Sequence, residues 1–436
     1  MKRAAWVLAV YAALAVAYHF AVPLFEAPDE PGHMEYVAFV AMEKRLPHYG
    51  PIPEVPGEGV QGPLFYMLSA PLFAATIPTP AIYREELHRA NRTLYRYEPR
   101  AIAANRLLRV RRPAPGERFV RVFHASTALR PLARLRWLNL LLGLAAAALT
   151  LTALVRVGGT AYGVAGTALL ALNPQFLFVS SYVNNDCLAI VVGAAALLLV
   201  AHARSGINRR HYLYWAALTA AGFLTKNSTL PGLVAALGAL LYFDKRKSRW
   251  REAAQGLGLL LALSLPYLIF NTAHRGDPLG MQAIRASAAH MPGPEAFGGL
   301  GTYLTRYYLP WTFESYWARF GWMNVLAPGW VFWFFFTLTL IALAGLAKRR
   351  DMPKGWTLYL ASAAAFTGLA HLWLNTSFAA AQGRHLFAVA PQIAALLAGG
   401  LSGWWKWNER RSWALAGILA VVAAALLSLV FTPAYR

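Results

Sequence analysis

The stretch FEAPDEPGHMEY, residues 25–36, follows directly on the apolar run that opens the chain, residues 5–24, which Lys2 and Arg3 precede. Pro31 and Gly32, then Met34, Val37, Val40 and Ala41, predict a short amphipathic helix. Asp29 would be its N-cap and Glu30 would sit in its first turn, where the helix dipole favours a carboxylate. The same two carboxylates also sit where a chain leaves a membrane, and ionisable groups near that depth are candidates for chemistry. A carboxylate there can take a proton from a hydroxyl or an amine. His33, four residues after Asp29, falls on the same side of the expected helix. The stretch alone leaves cap and catalytic edge both open.

The composition around it narrows the choice. Of 436 residues, 58% are hydrophobic and only 14% charged, with a mean hydropathy of +0.40. A soluble chain of this length needs a charged exterior, so the composition excludes an ordinary globular enzyme and a disordered chain. It predicts an all-α polytopic membrane protein, because several apolar runs reach the roughly 17–25 residues that a bilayer demands. The single cysteine, Cys187, rules out an internal disulfide. The formal net charge of +22 fits cytoplasmic Lys and Arg, or a phosphate-bearing partner such as anionic membrane lipid. No nucleic-acid partner is expected.

The run 5–24 exceeds the roughly 7–15 apolar residues of a signal peptide, so it reads as a retained helix with a cytoplasmic N-terminus. Further spans are expected near 134–156, 160–180, 187–203, 211–225, 229–243, 253–272, 326–347, 356–374, 385–403 and 412–431. The connections ARSGINRRH, DKRKSRWRE, KRRDMPKG and WKWNERRS are basic, while SSYVNND, TKNST and NTSFAAAQGR carry little charge. Placing the basic loops inside gives about eleven transmembrane helices in one domain, 1–436, with an external C-terminus. An integral membrane location is expected, with the N-terminus in the cytoplasm and the acidic stretch outside. The segment 61–77, interrupted by Gly62, Pro63 and Pro71, is expected to lie on the outer surface as an interfacial helix. Residues 25–133 then form a long first external loop, and fourteen arginines fall between Arg84 and Arg136, twelve of them within it. A second external loop spans about 273–325 and leads into YLTRYYLPWTFESYWARFGWMNVLAPGWVFWFFF. Its aromatics read as a membrane–water belt, or as flat faces for a sugar or a polyprenyl chain.

Three more positions on the external side stand out. Asp186 in VSSYVNNDCLA is either part of a helix cap, with Asn184 or Asn185, or a second site carboxylate. Lys226 in FLTKNSTLPG and Arg384 in AAAQGRHLFAVAPQ interrupt loops that otherwise avoid charge. They read as snorkelling cations or as phosphate ligands, Arg through a bidentate fork and Lys as a point charge. A nucleotide-binding G-x-x-x-x-G-K-[ST] run, a zinc-spaced His/Cys cluster and a G-x-S-x-G elbow are all missing from the sequence. The unusual residues gather at the external ends rather than at mid-membrane, which favours an enzyme over a transporter.

PDEPGH, QGPLFYML, RLRWLNLLLG, NND, LTKNSTL, WARFGWMN and QGRHLFAVAP occur in this chain, in that order. In this the chain resembles GT-C fold glycosyltransferases, in the bacterial branch related to protein O-mannosyltransferases and the aminoarabinose transferases of lipid A. The resemblance implies a GT-C bundle and inverting transfer from a polyprenyl-phosphate-linked monosaccharide on the external face. The acceptor stays open, and a lipid-linked oligosaccharide ligase or a flippase is the alternative. It implies that Asp29 is the catalytic base, that Glu30 supports it, and that Asp186 shapes the acceptor side. Lys226 and Arg384 would lie near the lipid phosphate, with His33, Gln382 and His385 beside them. No cofactor is required, although carboxylates and His33 are available to a divalent metal. One departure concerns the Lys that this family often places before the Pro of the external helix. Gln61 and Gly62 stand there instead, so the phosphate contact must come from another cation.

Overall fold

The structure, a computed structural model, describes residues 4–22, 27–49, 53–55, 57–74, 95–97, 108–110, 130–289, 291–348 and 352–435. The opening apolar run is helix α1 (Trp6–Ala21), and the stretch after it enters α2 (Glu30–Glu43). The segment 61–77 contains α3 (Leu64–Ala74), which packs on α2. Most of the arginine-rich part of the first loop lies outside the described residues. Within it only two antiparallel strands are described, Tyr95–Tyr97 and Leu108–Val110.

The bundle follows as α4 (Arg130–Ala171), α5 (Pro174–Val179), α6 (Asp186–Ala203), α7 (Arg209–Phe223), α8 (Leu230–Phe243) and α9 (Arg249–Arg275). After α10 (Met281–Ala288) and α11 (Leu309–Trp317) come α12 (Gly329–Lys348), α13 (Lys354–Asn375), α14 (Ala390–Leu401) and α15 (Glu409–Leu426). Among the described residues, seven helices are long and apolar enough to cross a bilayer, and three shorter apolar helices accompany them. The protein is an all-α integral membrane protein.

The expected spans 134–156 and 160–180 meet at a reversal. Gly159 takes a left-handed φ of 79° inside α4, and Gly163 and Gly166 then lie against Leu151, Val155 and Leu154 of the preceding arm. Glycine tolerates that dihedral and lets the two arms close tightly. The second arm is not one helix to residue 180, as the sequence suggests. It stops at Ala171, and Asn173 caps a fresh turn by accepting from the amides of Gln175 and Phe176. Pro174 at the first helical position suits that restart. The aromatic segment divides in two. Tyr303, Trp317 and Phe320 are buried in the protein, whereas Trp330, Trp333 and Phe336 face outward, as an interfacial belt requires.

α4 forms the spine, packing on α1, α6, α14 and α15. The basic connections gather at one end: Arg246 pairs with Asp244 and Glu252, Tyr212 donates to Asp244, and Lys348 sits over the ring of Trp404. The opposite end receives the starts of α2, α6 and α8 and the turn before α14. Gly193 of α6 lies directly on the carbonyl of Ala388, which draws that turn into the bundle. All the candidate residues meet at this end.

Candidate active site

The first link in the site is structural. Glu30 is fully buried, and so is Arg136 of α4. Arg136 donates to both Glu30 carboxylate oxygens, at 2.7 and 2.6 Å, and to the carbonyl of Val22 at 2.8 Å. The amide of Val183 also donates to Glu30, at 3.0 Å. One carboxylate thus ties the end of α1, the start of α2, α4 and the loop before α6 into one junction. Two desolvated charges are tolerable only with this degree of hydrogen bonding. Sequence reasoning placed Glu30 as support for the base. The structure places it as the anchor that aims its neighbour.

That neighbour, Asp29, occupies the N-cap position but does not cap. Its backbone is left-handed (φ 62°), and its side chain accepts no bond from the helix amides. Aspartate is one of the few non-glycine residues that tolerate this conformation. The expected N-cap role is therefore corrected, for the carboxylate turns away to Arg384. Asp29 remains 31% accessible while Arg384 is 7% accessible, so the carboxylate is the reachable member of the pair. Arg384 also donates through Nε to Gln382 at 2.7 Å and through Nη1 to the hydroxyl of Tyr182 at 3.3 Å. Burial pushes the Asp29 carboxyl up, but the charge and hydrogen bond of Arg384, aided by the charge of Lys226, hold it below the usual carboxylate range.

Asp186 begins α6 and pairs with Lys226 at 2.5 Å. The cap reading belongs to its neighbour, because Asn184 Oδ1 accepts from the amide of Cys187 at 3.1 Å. Asn184 also donates to the carbonyls of Val179 and Tyr182. Asn185 donates to the carbonyl of Thr225 at 3.1 Å, which fastens the Lys226 turn to α6. Each residue of the NND triplet therefore has its own task, and only Asp186 presents charge. Its Oδ2 is buried and makes no hydrogen bond among the described residues.

His33 does not pair with Asp29 through its ring. Its Nδ1 lies 2.8 Å from the hydroxyl of Tyr66 on α3 and 3.7 Å from a carboxylate oxygen of Glu58. Burial drives the imidazole down to about 3, against the opposing pull of Asp29, so it is neutral at physiological pH. His385 stands edge-on to His371, ring centres 5.3 Å apart, and its Nδ1 is buried without a hydrogen bond among the described residues.

Gly62 explains the departure before Pro63. A β-carbon there would strike the backbone of Leu224 and Thr225, and the Leu64 amide donates to the Leu224 carbonyl at 2.8 Å. The chain thus lies flat on the turn that carries Lys226, leaving no room for a lysine at residue 62. The sequence reading missed Glu58, Tyr66 and Tyr182. Glu58 showed only as one of two acids, with Glu54, within the proline- and glycine-rich PEVPGEGVQGP. Among the described residues, no three His, Cys, Asp or Glu side chains converge as metal ligands do.

No family model matches the sequence, and no curated protein matches it. Solved structures match by fold. ArnT from Cupriavidus metallidurans bound to undecaprenyl phosphate superposes with a TM-score of 0.55 at 14% identity, over 96% of this chain and 63% of that one. The same protein in the apo state gives 0.52 at 14% identity, over 98% and 65%. This chain thus spans just under two thirds of the length of the ArnT chains that it matches. With its helical bundle and the site at one end, the chain has the GT-C membrane fold of ArnT.

Proposed function

We propose that this chain is a membrane glycosyltransferase. It moves a monosaccharide, with inversion, from a polyprenyl-phosphate-linked donor to an acceptor lipid, glycan or protein on the external face. Asp29 is its general base. The observation that carries the reading is the pairing at one end of the GT-C bundle. Two carboxylates, Asp29 and Asp186, are each closed on a cation, Arg384 and Lys226, beside a reachable surface. The collection of the basic connections at the other end supports an external position for the site, by the positive-inside rule. The undecaprenyl phosphate bound in the ArnT structure supports a donor of that lipid class.

The pairing suggests an order of events. A carboxylate locked on Arg384 is a poor base, because its basicity is depressed. A donor phosphate offers Arg384 a bidentate partner and Lys226 a second anion. As the phosphate takes the guanidinium, Asp29 is released and its basicity rises. Asp29 then takes the acceptor's proton as the acceptor atom attacks the anomeric carbon. The bond from that carbon to the phosphate oxygen breaks with oxocarbenium character, and its electron pair leaves on the polyprenyl phosphate. Lys226 and Arg384 stabilise the charge that develops there. Asp186 keeps Lys226 aimed. The test is turnover of a panel of polyprenyl-phosphate sugars by purified protein and by Asp29→Asn. Transfer by the wild type with a loss of about a hundredfold or more in the variant is expected. Full activity of the variant removes Asp29 from the role, and no turnover across the panel removes the reaction.

A further inference from the structure

Glu58 has no task in the scheme above, yet the fold goes to some length to hold it in the site. Arg275 of α9, 3% exposed, donates to the carbonyls of Gly59 at 2.7 Å and Val60 at 3.0 Å. That clamps the turn Glu58–Val60 against the bundle. On the other side, Gly32 in the first turn of α2 leaves the space through which the Glu58 side chain runs. A β-carbon at Gly32 would collide with Cγ of Glu58. The carboxyl is thereby fed along the N-terminal turn of α2 into the cluster, 16% accessible.

Charges at the site leave Glu58 as the odd one. Asp29 is matched by Arg384 and Asp186 by Lys226. Among the described residues, the neutral His33 is the one basic side chain within 4 Å of the Glu58 carboxylate, and Glu58 makes no side-chain hydrogen bond. The groups whose charges act on it are Asp29 at the start of α2, Lys226 from the turn before α8, Arg384 from the turn before α14 and Asp186 from α6, while the uncharged imidazole of His33 faces it from α2. Tyr66 faces it from α3. An ionised Glu58 would be a third carboxylate among two cations, at the place where a donor phosphate must bind.

We infer that Glu58 serves the donor-phosphate site as a neutral carboxylic acid, whose proton removes a charge opposite the phosphate and is free to hydrogen-bond the bound donor. The inference rests on the proposed reading of this end as a polyprenyl-phosphate site. Burial, and then the charge of Asp29, push the carboxyl up to about 8, so the proton stays on through neutral pH. A bound phosphate is one more anion nearby and tightens that hold. Glu58 makes and breaks no bond in this role and is a positioning residue. The opposite case, a carboxylate kept ionised as a second base, would need a cation partner that Glu58 lacks.

The test is equilibrium binding of a polyprenyl methyl phosphodiester, whose single charge does not titrate in this range, to the full-length protein from pH 6.5 to 9.5. Wild-type affinity should fall above about pH 8, approaching tenfold per pH unit as the proton that binding requires is lost. Glu58→Gln should bind within about threefold of wild type at pH 7 and lose that alkaline fall. A flat wild-type profile overturns the inference without any variant, and so does an unchanged alkaline fall in Glu58→Gln. If the wild type prefers the phosphodiester over a neutral polyprenol but shows a flat profile, only the role of Glu58 fails. If it shows no such preference at any pH, the phosphate site itself fails and the inference with it.

Discussion

Glu30→Gln should damage the fold, while the neighbouring Asp29→Asn should leave it standing. Glu30 and Arg136 are both fully buried, and Arg136 directs two of its three hydrogen bonds given above to that carboxylate. Glutamine keeps the shape and one acceptor but removes the charge, so a guanidinium is left uncompensated in the interior. Breaking one side of such a pair costs about 3–5 kcal/mol. The amide also turns an NH2 group toward Arg136 or toward the Val183 amide, where only acceptors fit. Asp29 is 31% accessible, and Arg384 retains Gln382 and Tyr182 when its carboxylate is lost. The cost there should be about 1–2 kcal/mol, in line with one partly solvated charged hydrogen bond. The assay is detergent-solubilised thermal unfolding of wild type and both variants, read by intrinsic tryptophan fluorescence. A large drop in the apparent midpoint for Glu30→Gln, with a small one for Asp29→Asn, is expected. Equal midpoints for wild type and Glu30→Gln would refute the reading of Glu30 as the anchor.

Three further outcomes follow from the same geometry. Arg384→Lys keeps the charge but loses the fork, so the donor KM should rise about tenfold or more, with a smaller change in kcat, in a steady-state donor titration. Gly62→Ala should lower the unfolding midpoint by the equivalent of about 1–3 kcal/mol, because the added carbon meets the backbone of Leu224 and Thr225 rather than a side chain that can move. The acid limb of the pH–rate profile should differ between the two kinetic constants. In kcat/KM it reports free enzyme, where Arg384 depresses Asp29, and so lies below the usual aspartate range. In kcat it reports the donor complex and should move up as Arg384 leaves; coincident limbs would remove the exchange of partners.

The convergence of Asp29, Asp186, Lys226 and Arg384 was legible in the sequence, because charge in loops that otherwise avoid it is a local signal. The helices were legible from apolar length. What each carboxylate does was not. Asp29 and Glu30 are adjacent letters, and only the distant Arg136 makes one an anchor and leaves the other facing the site. In NND the cap falls to Asn184 rather than Asp186, a choice set by backbone geometry at one turn. Glu58 could not be found because its relevance depends on space left by Gly32 and on a clamp from Arg275, some two hundred residues along the chain. The reversal at Gly159 was visible as a gap between two apolar runs, whereas the break at Asn173 was masked by a continuous apolar stretch.

The most direct test of the account is the structure of this protein with a non-hydrolysable polyprenyl-phosphate sugar bound. The account predicts the phosphate against Arg384 and Lys226, the Arg384–Asp29 pair opened, and the Asp29 carboxylate facing the side of the anomeric carbon opposite the phosphate. A donor bound at another place, with Arg384 still closed on Asp29, would contradict it.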